Sequence, residues 1–175
     1  MDYSSLKYSD ENDRAHGLAG MAVAMVAYNA QDYIVSISLD STPGQGLTLA
    51  PEFGFNGNPR LSAKLAWKQI LEQFELSTAM IMGNAVCRAC VGQRRRPTDD
   101  VLHTLRTLIS EEGKHCELED DEIDRLFNKN INYITRLFTH PGVMSVTTDF
   151  VSTVKNRRSL SASEILDKLA ALHGL

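Results

Sequence analysis

The chain has 175 residues, 43% of them apolar and 23% charged, with a net charge of −4. That length suits one domain spanning residues 1–175, and folding buries roughly 70% of the unfolded chain's surface, so neither a metal nor a disulfide is required. The composition argues against disorder, and the acidic balance argues against a dedicated nucleic-acid binder, whose domain is usually basic.

Cysteine is sparse: Cys87, Cys90 and Cys116. An odd count in a chain this long is no disulfide framework. Free, buried thiols in a reducing compartment fit it, so a cytoplasmic location is expected. The apolar stretch at residues 17–30 is too short to span a bilayer. The sixteen residues before it carry four acids against Lys7 and Arg14, unlike the basic start of a signal peptide. No membrane segment is expected.

Residues 1–16 are polar and read as a flexible lead-in. MAVAMVAY, residues 21–28, fits either an Ala-rich helix or a strand. The strand is favoured, because the short polar linker NAQD suits a hairpin to the next segment. YIVSISLD, residues 33–40, alternates and reads as a half-buried strand. STPGQG is a turn, and GLTLAPEFGF a third strand with Pro51 at its end or on an edge. GFNGNP is a second turn. The fold class is therefore α+β: a small N-terminal antiparallel sheet of two or three strands, about residues 20–55, followed by four to six helices.

After Pro59 the spacing is helical. Leu61, Leu65, Trp67, Ile70, Leu71, Phe74 and Ile81 mostly follow an i, i+3, i+4 pattern, capped by Asn58 or Ser62. Trp67, Ile70, Phe74 and Ile81 are expected at the centre of the core, against the third strand. Gly83 and Asn84 kink or end this helix, a further turn or two carries Val86, Cys87, Cys90 and Val91, and Arg94 to Pro97 break that run. Thr98 caps the next helix, with Gly113 past its end. Glu119 or Asp120 opens another, which THPG stops. Residues 143–154 suit a helix, with a strand as the alternative because of their β-branched content. Ser161 and Glu164 form a capping box for the last helix.

Few residues invite chemistry. Cys87 and Cys90 form Cys-x-x-Cys, which supplies two of the four ligands of a zinc site. Cys116 and either His115 or His103 would complete it, but the spacing is poor. A redox pair belongs at a helix N-terminus, and this pair lies toward a C-terminal end. Packing as small apolar residues is the favoured reading, with no metal or cofactor expected. Arg88, Arg94, Arg95 and Arg96 form one basic cluster, and Arg157 and Arg158 a second. Together they are the nucleic-acid candidates, though solvated helix ends explain them more simply. Six acids between Glu117 and Asp124 lack the glycine of a calcium loop and suit a helix start. The chain has no P-loop, no Rossmann fingerprint and no nucleophile elbow. The leading expectation is a non-enzymatic interaction protein that self-associates, because Met80, Ile81, Met82 and Val86 cover more than one helix face. The alternatives are a nucleic-acid-associated factor and a zinc or thiol site.

Overall fold

The computed structural model describes residues 4–42, 44–54 and 62–174. Its helices are α1 (Glu11–Ala27), α2 (Ala63–Cys87), α3 (Asp99–His115), α4 (Asp120–Thr139), α5 (Pro141–Arg157) and α6 (Ala162–Leu169). Its strands are β1 (Ile34–Ser38), β2 (Leu47–Leu49) and β3 (Ser159–Ser161). The α+β class is as expected, and no described helix is long and apolar enough to cross a membrane.

Residues 21–28 are helical rather than a strand. Asp10 caps α1, its side chain accepting from the Asp13 N–H at 2.7 Å, and Glu11 and Asp13 place negative charge in the first turn. The helix is central, and every residue from Ala22 to Val26 is buried. A helix buried on all sides has no polar face, so its sequence shows no clean helical period. Residues 4–16, read as a lead-in, are ordered by this cap and by a 3₁₀ turn at Ser4–Leu6. Ser5 donates to Thr104 at 2.8 Å, tying that turn to α3.

Helices α1 and α2 cross where side chains are absent. A Cβ on Gly20 would lie 2.2 Å from the Gly83 carbonyl oxygen and 2.4 Å from Cys87 Cβ. Gly83 therefore does not end α2. It lets the backbones meet, and α2 continues through a π-helical turn at Arg88–Gly92. The helices run antiparallel, since Gly20 meets Gly83 while Asp13, two turns earlier, meets Arg88. Around this pair, α5 packs on α1, and α3 and α4 pack on α2. Gly113 lies within α3, where an added Cβ would press within 2.7 Å of Ile123 on α4.

The sheet order is β2-β1-β3, with both pairs antiparallel. Strand β1 is where the alternation placed it. A bulge between Ile34 and Ser36 adds a residue, so the inward side passes from Ile34 to Ile37 and Leu39. The third strand comes from residues 159–161, where Leu160 pairs with Ile37. It is too short to show a period.

Caps at Ser62, Thr98, Glu119 and Ser161 match the sequence reading, and residues 143–154 are helical. Asn58, Leu61 and most of the GFNGNP turn lie outside the described residues. The expected core centre needs correction. Phe74 is buried, but Trp67 is 38% exposed and Ile70 and Ile81 are half-buried. Strand β2 packs on α1.

Replacing Gly20 by Ala forces a methyl group onto backbone that cannot yield. We expect a net loss of stability of about 1–3 kcal/mol from overpacking, despite a helix-propensity gain of about 1 kcal/mol. Urea denaturation measures it, and an unchanged or higher midpoint contradicts the crossing.

Candidate functional site

The arginines of the two basic clusters have different environments. Arg88 is only 8% exposed. Its Nε donates to Asp13 Oδ1 at 2.8 Å and its Nη2 to Asp13 Oδ2 at 2.6 Å. Nη1 donates to the Leu6 carbonyl at 2.8 Å and Nη2 to that of Lys7 at 2.7 Å, and the guanidinium stacks 5.0 Å from the Tyr8 ring centroid. Asn84 then donates to the Tyr8 hydroxyl at 2.6 Å. Arg88 is thus a buried staple that fixes residues 6–8 against α1 and α2. The sequence held half of this signal: a cation inside an apolar helical run needs a partner. Nothing named Asp13, 75 residues away.

Burial alone would raise the Asp13 carboxyl. Hydrogen bonds from Arg88 and the Ser9 N–H, with the Arg88 charge, outweigh that and hold it below the ordinary carboxylate value.

Arg158 sits past the end of α5 in the left-handed region, φ 63°. Its guanidinium spans two carboxylates, with Nε 2.9 Å from Asp40 and Nη2 3.0 Å from Glu11. Those hydrogen bonds push Arg158 up and hold both acids down. Arg157 donates to Glu164 at 2.7 Å. Arg94, Arg95 and Arg96 remain exposed, and Arg95 donates to the Gln93 side chain at 2.7 Å. Three of the six candidate arginines therefore already face carboxylates.

Cys87 lies at the glycine crossing and Cys90 in the π turn, both buried. Burial pushes up all three thiols, with Cys90 adding to the effect at Cys87 and Glu112 at Cys116. Raised thiols are poor nucleophiles at neutral pH. Among the described residues no three His, Cys, Asp or Glu side chains gather as a metal site, so Cys87, Cys90, Cys116 and His115 are not brought together as one. Size explains Cys87: a larger side chain there would meet the α1 backbone at Gly20.

The acids at 117–124 start α4, where Glu119 and Glu122 form a capping box. Asp120 and Asp124 pair with Lys114 and Arg106. His140 caps α5 through its backbone. The side chain of His173 lies outside the described residues.

The apolar surface that sequence periodicity assigned to the core lies on the first three turns of α2. Among its described side chains, none before Phe74 is buried. Leu65 is 51% and Trp67 38% exposed, and neither they nor Ile70 join the core cluster. Met82 and Val86, by contrast, are fully buried. Their many-sided apolar character marks the centre of the protein, not an interface.

Comparison with family models, curated proteins and solved structures finds no match.

Two outcomes check this description. The folded pKa of Asp13 lies below its unfolded value, so its contribution is present above that value and is lost as pH falls toward the folded pKa. Asp13→Asn should lose about 3–5 kcal/mol near neutrality, because it leaves Arg88 buried and unpaired. Between pH 5 and pH 3 its urea midpoint should then fall less than that of the parent, and an equal fall removes Asp13 from the acid response. For the thiols, alkylation at neutral pH should label Cys87 only as fast as the protein opens. Rapid labelling of native Cys87 contradicts a packing role.

Proposed function

We propose that this is a non-enzymatic interaction protein that self-associates through the first half of α2. The observation that carries this is the run Leu65, Trp67, Ile70, an apolar stretch outside the core on a helix whose first three turns bury no described side chain. Large aromatics exposed in this way are typical interface anchors.

An antiparallel second copy centred near residue 70 covers Trp67 and Ile70, which are i, i+3 neighbours on one helix face. Such a pairing is isologous and closes as a dimer. Within one chain Lys68 and Glu72 pair at 3.4 Å on the helix face opposite Ile70, with both side chains well exposed.

The nucleic-acid reading keeps Arg94, Arg95 and Arg96 on a chain of net charge −4. The thiol reading faces three raised thiols. Both have less support than the α2 surface.

Native mass spectrometry and sedimentation should show a dimer at micromolar concentration. Trp67→Glu should weaken it by about 2 kcal/mol, roughly thirtyfold in Kd. A monomeric parent, or a dimer indifferent to Trp67→Glu, rejects the proposal.

A further inference from the structure

A second feature lies apart from that surface. Between residues 6–8, α1 and α2 opens a cavity of about 660 Å³. Small-ligand sites occupy about 300–1,000 Å³ and are mostly apolar with a few placed polar groups. Here Leu6, Leu18, Met21, Ile81 and Ala85 supply apolar wall. Tyr8, which closes one side, is held by Asn84, and its neighbours Leu6 and Lys7 are held by Arg88. This part of the wall is therefore pre-formed, and Gly44 and Gly46 complete the lining.

The charge on the lining has one sign. Among the described residues Lys7 and Arg14 are the cations of the lining, and no carboxylate joins them. Among the described residues neither cation forms an ion pair. Arg14 Nη2 donates to the Ser41 carbonyl, to Ser41 Oγ at 3.1 Å and to the Thr42 carbonyl at 3.3 Å. Asp40 feels the Arg14 charge but is held by Arg158. An apolar cavity whose described charged lining is cationic favours an anion with an apolar body.

Helix geometry sets the size of that body. Arg14, Leu18 and Met21 follow i, i+4, i+7 along α1 and span about 10 Å, the length of a chain of about eight to ten carbons. Ile81 and Ala85 line the cavity from α2. We propose that this cavity binds a medium-chain carboxylate, its head at Arg14 and its chain along Leu18, Met21 and Ile81.

Calorimetric titration of the full chain with hexanoate, octanoate and decanoate tests this. Affinity should rise about fourfold per added methylene. Decanol, which keeps the chain and lacks the charge, should bind at least about tenfold more weakly than decanoate. Arg14→Met should lower decanoate binding to the decanol level and leave decanol binding unchanged, which also shows that the variant is folded. Ile81→Trp, filling the cavity, should remove both. Absence of saturable decanoate binding, equal affinity for decanol, or an Arg14→Met variant that binds decanoate as before overturns the assignment. Trp67→Glu should bind decanoate normally, so failure of the dimer and failure of this site are separate results.

Discussion

Two helix backbones can touch only where Cβ atoms are missing, and the contact of Gly20 with Gly83 sets the geometry of this protein. It draws α1 and α2 into an antiparallel pair and makes α1 the central element. The alanine-rich composition of α1 has the same origin, because a helix enclosed by neighbours needs small residues as well as apolar ones. Cys87 belongs to the same contact: its side chain sits beside the α1 backbone, where a bulkier group would not fit. The position of this thiol thus traces to packing rather than reactivity.

The crossing also decides which polar groups meet. With the helices antiparallel through Gly20 and Gly83, the start of α1 lies beside the end of α2, and Asp13 faces Arg88. Buried ion pairs contribute little net stability, because desolvation offsets their attraction. The remaining N–H groups of Arg88 hold the carbonyls of Leu6 and Lys7 and so position the segment before α1. The cavity wall depends on this staple. Buried polarity here specifies an arrangement more than it adds strength.

Local signals are legible in the sequence and long-range ones are not. The Ser161–Glu164 box, the Thr98 cap and the acids opening α4 announce their helices, because capping chemistry is confined to one turn. The Ile34–Ser38 strand is legible from alternation, although its bulge is not. Helix α1 passes for a strand because complete burial erases the period that marks a helix. Asp10 and the acids after it do signal its start. Strand β3 is three residues long and pairs across more than 120 positions, so no window could contain it. Periodicity puts Trp67 in the core because it reports an apolar face, not the element that covers it. The burial of Cys87 and Cys90 agrees with reading that pair as small apolar residues. The partners of Arg88 and the cavity beside Arg14 arise from segments far apart in the chain and have no sequence signature.

The central functional claim is that the first half of α2 meets its own copy about a two-fold axis near residue 70. Disulfide trapping tests it most directly, since a residue near such an axis comes close to itself. In a Cys116→Ser background, Ile70→Cys should form a covalent dimer under mild oxidation, and Ser152→Cys, on the exposed face of α5, should not. Equal trapping at both positions, or none at Ile70→Cys, contradicts the account.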